Sequence, residues 1–404
     1  MAKYMSRPSR RTVLSSLAAA SLVSAGRRAL GAPTPIRVGG TLALTGPLAQ
    51  TALVHKLAAE IFIADINKRG GLLGRPVEYV LYDDQSKADQ TRSLYEKLIT
   101  VDNVDLITGP YATAACLAAI AVAQRYGKII IYSSMAQVYL ATYDRAFPAI
   151  DVGPHPEISG PKVMLDAWAS TPHPPQSIAI AASKFPSALF EAKGVRDLAQ
   201  KRGIKVALYL EYDFPSRDMN PIAARFKDAN ADLVWLGCLG VEGNQLIEAM
   251  TKIDYKPARS FYLFPAPGPL ASAPGAEGAT SFTNYEEHAP MDKFKGADVL
   301  IPAFHERAKA ARMPYTRVDN QAGTEFAAWQ MLVAAAEATS SLDDAKMADW
   351  LKHHEVETLV GKLRFNEEFN SGDDLSKVKQ VQKGRWQVVW PVAFREPGTT
   401  FVAP

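Results

Sequence analysis

Strand-like and helix-like patterns of apolar residues alternate along most of the chain. Residues 36–44 are rich in β-branched and leucine side chains and end at Thr45-Gly46-Pro47, which predicts a strand followed by a turn. A helix is predicted next, because apolar residues then recur at spacings of three and four until Gly70-Gly71. The apolar positions of this helix are Leu53, Leu57, Ile61 and Ala64.

The same alternation continues and then restarts after Pro148. In the first run, further strands are predicted at 77–82, 104–108 and 128–132, and a helix at 113–126. In the second run, strands are predicted at 177–182, 206–210, 232–236 and 260–264, and helices at 188–202, 221–229 and 243–252. A Pro, Gly and Ala-rich connection at 265–279, helices at 326–337 and 343–353, and short strands at 362–365, 378–382 and 386–390 follow.

This order of elements predicts an α/β fold with two lobes. Strand and helix alternate in this way when a parallel sheet is covered by helices on both faces. Two such runs predict two sheets, and 404 residues exceed the roughly 250 to 300 that a single core usually supports.

The first 32 residues are predicted to be a signal peptide. Basic residues up to Arg11 precede a 13-residue apolar run at 13–25, and small residues follow near Gly31. The apolar run is shorter than the roughly 20 residues that a membrane-spanning helix needs. Ser9-Arg-Arg-Thr-Val-Leu resembles a twin-arginine signal, with an ordinary secretory signal as the alternative. We therefore expect a soluble, exported, periplasmic protein.

The charge of the body argues against a nucleic-acid partner. The formal charge of the whole chain is +3, but the leader holds six basic residues and no acidic ones, so the remainder carries −3. A basic surface for nucleic acid is therefore not expected. The two cysteines, Cys116 and Cys238, fall in different predicted lobes and are expected to be buried free thiols, with no zinc site and no cofactor.

Loops that follow strands are the expected place for a ligand, because open parallel sheets bind ligands beyond the carboxyl ends of their strands. These loops are 45–48, 109–113, 133–137, 183–187, 238–240 and 264–266. None of them contains one of the seven histidines, and the chain lacks the common hydrolase and nucleotide-binding signatures. An enzyme is therefore the weaker hypothesis.

Two further patterns have a structural and a functional interpretation. Gly237, Gly240 and Gly243 follow a strand, but their spacing differs from that of a dinucleotide-binding loop, so a close turn is favoured. Asp83 and Asp84 could be paired carboxylates, but acids at the end of a strand more often accept turn hydrogen bonds.

A better candidate is an anion site at the start of the 113–126 helix. Tyr111, Ala112 and Thr113 precede or open this helix, where unpaired N–H groups and the helix dipole attract an anion, and Thr113 is expected to supply an N-cap hydroxyl. Ser133 and Ser134 end the neighbouring strand and could add neutral donors. A small carboxylate or amide would suit these groups; the alternative is that they cap their own elements.

The order of several motifs resembles a known family. These motifs are Ile36-Arg-Val-Gly-Gly-Thr-Leu-Ala-Leu-Thr-Gly-Pro, Asn67-Lys-Arg-Gly-Gly-Leu-Leu-Gly-Arg-Pro, Tyr82-Asp-Asp-Gln-Ser, Ile107-Thr-Gly-Pro-Tyr and Val378-Lys-Gln-Val-Gln. They are similar to motifs of the type I solute-binding proteins of ABC importers, in the leucine, isoleucine and valine group. The resemblance implies two Rossmann-like lobes, joined by three crossings of the chain, that enclose a ligand by hinge closure. It implies lobe I at 36–150 plus 284–356 and lobe II at 151–283 plus 357–404.

The resemblance also implies ligand contacts. In lobe I it implies Thr51 near the ligand, Thr113 on a carboxylate and backbone groups around Ala136. In lobe II the family's amino-acid binders hold the ligand's ammonium group with tyrosines and an acid. The corresponding positions here are Ser187, Leu239 and Ala266, none of which can replace that acid. A shift in the alignment would instead bring Glu242 or Lys184 into the site.

We therefore predict an extracytoplasmic substrate-binding component of an ABC transporter, which works as a monomer and delivers its ligand to an inner-membrane permease. The ligand keeps a carboxylate or amide end and need not be an α-amino acid, because enclosing an unpaired ammonium group is costly. Phe185, Leu239 and Phe264 are expected to form an apolar wall that suits an aromatic or aliphatic acid. A type I sensor protein is the alternative.

Overall fold

The first half of the chain forms a five-stranded parallel sheet. A computed structural model of the protein describes residues 33–135, 140–150, 152–263, 268–365 and 370–403. The strands are β1 (Ile36–Leu42), β2 (Val77–Asp83), β3 (Leu106–Thr108), β4 (Ile130–Tyr132) and β5 (Ala146–Pro148). They lie in the order β2-β1-β3-β4-β5. The helices α1 (Ala49–Lys68), α2 (Ala88–Thr100) and α3 (Thr113–Tyr126) connect the first four strands.

The chain then builds a second sheet. It runs through α4 (Pro156–Ala169), β6 (Ser177–Ser183), α5 (Pro186–Lys201), β7 (Lys205–Tyr212), α6 (Asn220–Ala229), β8 (Leu233–Gly237), α7 (Glu242–Lys252), β9 (Ser260–Tyr262), α8 (Gly268–Ala271) and β10 (Thr280–Thr283). These strands pair in parallel in the order β10-β9-β8-β6-β7.

The chain next returns to the first sheet and finally to the second. The returning elements are α9 (Ala297–Ala310), α10 (Asn320–Thr339), α11 (Asp344–His353) and a hairpin of β11 (Val356–Thr358) and β12 (Gly361–Leu363). The closing strands β13 (Lys377–Gln382) and β14 (Arg385–Trp390) extend the second sheet: β13 pairs antiparallel to β10, and β14 pairs antiparallel to β13. The chain therefore passes between the two sheets three times. We call the part built on the first sheet lobe I and the part built on the second sheet lobe II.

The packing of each lobe follows from the apolar faces of its elements. The core of lobe I joins β1, β3 and β4 to α1, α9 and α10, and it includes the fully buried Trp329. Leu359, Val360, Leu363 and Phe365 also belong to this core. We therefore propose that lobe I continues to about residue 365, beyond the predicted end at 356. The division of the chain into lobes otherwise remains the prediction made above.

The structure corrects part of the predicted pattern. The helix predicted at 113–126 is found with the same bounds, but α4 and α9 were not predicted. Both contain an internal proline, Pro161 or Pro302, which is a poor residue for a helix interior. Ala64 is exposed, whereas Phe62 and Ile66 are buried, so the apolar face of α1 is rotated from the predicted one. The 265–279 connection contains the short helix α8.

The predicted leader, 1–32, lies outside the described residues. Within the described ranges, no helix has the length and apolar character required to cross a bilayer.

Candidate functional site

A cavity lies between the two lobes, where the carboxyl ends of the two sets of parallel strands face each other. The described residues that line it are Tyr111, Ala112, Ser133, Ser134, Ile150, Ser187, Leu239, Asn320 and Gln321. They follow β3, β4, β5, β6 and β8 or begin α10. The site therefore has the position expected for a ligand in an open parallel sheet.

The loop that leads into α3 is held close to β4. A side chain at Gly109 would approach Tyr132 Cβ to 2.5 Å, so glycine permits this close packing. Ala112, the residue before the helix, has φ 77° and ψ 145°, a backbone conformation that is strained for any residue except glycine. Strain of this kind is kept when the surrounding structure enforces it, which is common at binding sites.

The N-terminus of α3 lacks a side-chain cap. Ala112 is the N-cap residue and Thr113 is the first helical residue, so the prediction that Thr113 supplies the N-cap hydroxyl is wrong. The Thr113 side chain is buried and its Oγ1 has no hydrogen-bond partner in the structure. A buried hydroxyl without a partner is costly, and the first N–H groups of a helix are also unpaired within the helix. This helix end can therefore still accept a polar group.

Two other helices begin at the cavity. Ser187 is the second residue of α5, whose N-cap residue Phe185 makes no side-chain hydrogen bond to the helix. Asn320 and Gln321 open α10, whose N-terminus is capped by Asp319 through Gln321 N at 3.0 Å and Ala322 N at 3.4 Å. Two helix N-termini without side-chain caps, one from each lobe, therefore meet at the cavity. Their dipoles favour a negative group.

Ser134 braces the loop before α3. Its Oγ accepts a hydrogen bond from Ala112 N at 2.9 Å and donates to Pro110 O at 3.2 Å. The Cys116 thiol also donates to Pro110 O, at 3.1 Å. The hydroxyl of Ser134 is thus engaged within the protein, where it bonds to the loop before α3 and does not cap its own element.

Ser133 belongs to a buried polar network. Its hydroxyl donates to Glu325 Oε2 at 2.7 Å, and His55 Nδ1 lies 3.1 Å from the same oxygen. The other ring nitrogen, His55 Nε2, lies 2.8 Å from Gln321 Oε1, and Trp329 Nε1 donates to Glu325 Oε1 at 2.9 Å. The network joins α1, the end of β4 and α10, and two of its members, Ser133 and Gln321, reach the cavity.

The charged residues of lobe II that could enter the site are engaged elsewhere. The Glu242 carboxylate accepts hydrogen bonds from Ser216 N at 2.9 Å, Leu239 N at 3.2 Å and the Tyr212 hydroxyl at 3.1 Å. Burial raises the pKa of Glu242 although these donors oppose the change. Lys184 forms an exposed ion pair with Asp213 at 2.9 Å. Neither side chain is among the described cavity-lining residues.

The structure brings six of the predicted site residues together at the cavity. They are Tyr111, Ala112, Ser133, Ser134, Ser187 and Leu239. Three others are outside the lining: Thr51 is buried in α1 beside the Tyr111 hydroxyl, Thr113 is buried at the start of α3, and Phe185 packs on Phe214 with ring centroids 5.2 Å apart. Ala136, Phe264 and Ala266 lie outside the described residues. Ligand contact for all twelve residues therefore remains a prediction.

Sequence reasoning missed five residues at or behind the cavity. Ile150 follows β5, and Asn320 and Gln321 lie some 170 residues further along the chain. His55 and Glu325 were missed because the search was restricted to loops after strands, whereas these two lie on helices. The signal that could have found them is polar residues inside otherwise apolar helices, since such groups are seldom buried without a partner.

The other sequence patterns turn out to be structural. Asp83 accepts from Thr45 N, Thr45 Oγ1 and Gln85 N, and Asp84 accepts from Thr41 Oγ1 and Ser86 N, which confirms the turn interpretation of this pair. The prediction of free, buried cysteines is confirmed for Cys116 and Cys238. Gly240 has φ 59°, and a Cβ there would be 3.1 Å from Pro47 O of lobe I, so the glycine permits close contact of the lobes.

Comparison with known proteins gives the family. A sequence profile of the periplasmic binding proteins matches residues 35–385. The chain belongs to the periplasmic binding protein family. Its relatives place it in the type I group that contains the branched-chain amino-acid binders. It is 25% identical over 349 residues to the Leu/Ile/Val-binding protein of Escherichia coli, which covers 82% of this chain and 87% of the relative. Family membership places the protein outside the cytoplasm, as a component that works with a membrane permease.

Solved structures show the same fold. A solute-binding protein from Rhodopseudomonas palustris in complex with benzoate aligns with a TM-score of 0.75 at 15% identity, over 91% of this chain and 99% of that chain. The branched-chain amino acid transporter substrate-binding protein of Streptococcus pneumoniae, in complex with isoleucine, aligns with a TM-score of 0.71 at 15% identity, over 89% and 100%. At this identity the agreement concerns the fold alone. The predicted fold, two type I lobes with a cleft between them, is confirmed.

Proposed function

We propose that this periplasmic binding protein captures a small carboxylate or amide between its lobes and delivers it to an ABC permease without changing it chemically. The ligand is an aromatic or aliphatic acid that need not carry an α-amino group. The observation that carries this proposal is the pair of helix N-termini without side-chain caps, α3 and α5, at opposite sides of the cavity. A carboxylate placed there gains the dipoles of both helices.

The cavity also offers little to an ammonium group. Among the described residues that line it, none has an acidic side chain. Glu325 is behind Ser133 and already accepts from the Ser133 hydroxyl and Trp329 Nε1, and Glu242 accepts from two backbone N–H groups and Tyr212. An enclosed ammonium without a carboxylate partner loses several kcal/mol of solvation. A desamino acid avoids this loss.

The relatives are consistent with either ligand class. The names of the curated relatives refer to branched-chain amino acids, and one solved neighbour is in complex with 3,4-dihydroxybenzoic acid. We therefore use acids of both kinds as probes. The protein would be unfolded, freed of ligand, refolded, and tested by thermal shift against leucine, isoleucine, valine, 4-methylpentanoate and benzoate.

We expect stabilisation by at least one desamino acid, because a ligand that binds the folded state raises the melting temperature by mass action. Stabilisation by the branched-chain amino acids and by no desamino acid would refute the ligand class. Turnover of a bound acid, measured by chromatography after long incubation, would refute a purely binding role.

Thr113 gives a sharper test of the anion site. Thr113→Val keeps the volume of the side chain and removes its hydroxyl, whereas Thr113→Ser keeps the hydroxyl. We expect the valine variant to lose about 1 to 3 kcal/mol of binding free energy by calorimetry, the range for a lost hydrogen bond to a charged group. The serine variant is the matched control and should bind nearly as tightly as the wild type. Equal affinity of all three proteins would exclude Thr113 as a contact.

The remaining parts of the proposal concern transport. We propose export by the twin-arginine route, a monomeric state and no nucleic-acid partner. Replacing Arg10-Arg11 by Lys-Lys should leave the precursor in the cytoplasm, while an ordinary secretory signal would tolerate this change. A sensor role is the second candidate function, and copurification with a signalling partner in place of a permease would favour it.

A further inference from the structure

A buried polar network lies directly behind the cavity. It consists of His55 on α1, Ser133 after β4, and Gln321, Glu325 and Trp329 on α10. Each of these residues is buried, and His55 and Glu325 are 0% and 1% exposed. Ser133 and Gln321 line the cavity, so the network connects the protein interior to the ligand.

The positions of the protons in this network can be deduced from its donors. Trp329 Nε1 is a donor only, and it binds Glu325 Oε1. Glu325 Oε2 receives the Ser133 hydroxyl at 2.7 Å and His55 Nδ1 at 3.1 Å. The Ser133 hydroxyl and Trp329 Nε1 therefore donate to the two oxygens of the Glu325 carboxyl group.

This arrangement determines whether Ser133 acts as a hydrogen-bond donor or acceptor toward the cavity. A serine hydroxyl has one proton and two lone pairs. The proton is used in the bond to Glu325, so only a lone pair of Ser133 Oγ is left for the cavity. Ser133 thus faces the cavity as an acceptor, in place of the donor expected from the sequence.

The same reasoning applies to Gln321. Its amide oxygen lies 2.8 Å from His55 Nε2 and accepts a hydrogen bond from that ring nitrogen. The amide NH₂ of Gln321 is then left for the cavity as a donor. His55 Nε2 is therefore the donating ring nitrogen in the contact with Gln321.

We infer that the His55–Glu325 pair orients Ser133 and Gln321 so that the cavity presents a hydrogen-bond acceptor beside its donors, and that it thereby selects acids which themselves carry a donor. The favoured ligands are small carboxylates or amides with a hydroxyl, phenol or N–H group. This inference rests on the proposed function and deepens it. Ser133 and Gln321 are specificity-determining residues, whereas His55 and Glu325 are positioning residues that act through them.

The test compares acids that differ by one hydroxyl group. The probes are benzoate against its three monohydroxy isomers, and 4-methylpentanoate against 2-hydroxy-4-methylpentanoate, with affinities from calorimetry. In the wild type, we expect at least one hydroxylated acid to bind about tenfold more tightly than its parent, the value of one ordinary hydrogen bond.

The variants separate this effect from general stability. Ser133→Ala should abolish the tenfold preference, because the acceptor is lost. Thr324→Val is the matched control: Thr324 is buried on the same helix, and its hydroxyl bonds to the carbonyl oxygens of Asn320 and Gln321, with no bond to a side chain of the network. The control should keep the preference even if its melting temperature falls.

Glu325→Gln tests the positioning role. The glutamine can donate to Ser133, so the serine proton is released toward the cavity, and we expect the preference for the hydroxylated acid to fall at least fivefold. A residue that only supports the fold would lower the affinities for both acids of a pair equally. Should the variant fail to fold, ¹⁵N NMR of the histidine rings in the wild type replaces it. Nε2 of His55 should then carry a proton, and an unprotonated Nε2 would overturn the assignment.

The possible results distinguish the two proposals. If none of the acids binds the wild type, the proposed function fails and this inference fails with it. If acids bind and Thr113→Val weakens them, but the wild type has no preference for hydroxylated acids or Ser133→Ala keeps that preference, the inference alone is overturned.

Discussion

Asp84 and its neighbour Asp83 show how position at the end of a strand changes the chemistry of one residue type. The Asp84 side chain is buried and accepts hydrogen bonds from Thr41 Oγ1 at 2.8 Å and Ser86 N at 3.0 Å. Burial is nevertheless the largest effect and raises its pKa to about 6. For the more exposed Asp83, the hydrogen bonds from Thr45, Gln85 and Leu44 together outweigh desolvation and lower the pKa. The two carboxylates therefore change the free energy of unfolding in opposite directions as the pH rises.

We predict that Asp84→Asn changes the pH dependence of stability. The folded chain holds the Asp84 proton to a higher pH than the unfolded chain, so this residue lowers the free energy of unfolding as the pH rises from about 4 to about 6. Relative to the variant, the wild type should lose about 2 kcal/mol across that window, measured by urea unfolding at several pH values. Asp83→Asn should show the opposite trend, because a lowered pKa stabilises the fold at higher pH. Parallel curves for wild type and Asp84→Asn would contradict the prediction.

At the scale of elements, the site is made by the beginnings of helices. α3 and α5 start at the cavity without side-chain caps, while α10 has a full cap from Asp319. Other helices of the chain also begin without a side-chain cap, which costs about 1 kcal/mol per helix, so α3 and α5 are distinguished by starting at the cavity. The cavity is thus built from ends that a ligand can complete.

The strained start of α3 leads to a second prediction. Ala112→Gly should relieve a backbone strain of about 1 to 3 kcal/mol and lose one buried methyl group, which costs about 0.8 kcal/mol. We expect a net gain in the free energy of unfolding of about 1 kcal/mol by denaturant unfolding. Ala114→Gly, in the first turn of the same helix, is the control and should destabilise by about 0.5 to 1 kcal/mol. If both glycine variants lose stability equally, the positive φ of Ala112 stores no strain.

At the scale of the whole molecule, the three crossings of the chain hold the lobes together. The second and third crossings are joined by a buried ion pair between Glu286, which follows β10, and Lys379 on β13, at 2.8 Å. Thr283 Oγ1 donates to the same Glu286 oxygen at 3.1 Å. Burial raises the pKa of Glu286, and the ammonium of Lys379 opposes this change. An isolated antiparallel β-bridge between the backbones of Val152 and Asp374 joins the first and third crossings.

We predict that Lys379→Met destabilises the protein by about 3 to 5 kcal/mol, because it leaves a buried carboxylate without its partner. Lys362→Met provides the matched control, since Lys362 pairs with Glu355 at 2.9 Å on an exposed hairpin, and surface ion pairs contribute little. Denaturant unfolding of both variants gives the comparison. Equal small losses would mean that the pair between the crossings contributes no more than a surface pair.

Much of the fold followed from local patterns. The bounds of α3 and the strands around 77–83, 177–183 and 377–382 were predicted to within about one residue, because buried parallel strands and amphipathic helices have clear periods. α4 and α9 were missed, since tertiary packing tolerates Pro161 and Pro302 where local propensity disfavours them. The site residues in loops after strands could also be predicted from the sequence. In a parallel sheet these loops all lie at the same edge, so their residues come together.

The sequence by itself determined the alternation of strands and helices, the family motifs and the position of the loops that meet at the cleft, because each of these depends on residues close together in the chain. Only the tertiary structure decided that His55, Ser133 and Glu325 share one network and that Glu242 is used by its own loop. His55 and Glu325 are 270 positions apart in sequence. The pairing of these polar groups depends on how helices from distant segments of the chain pack together. A local sequence pattern carries no information about that packing.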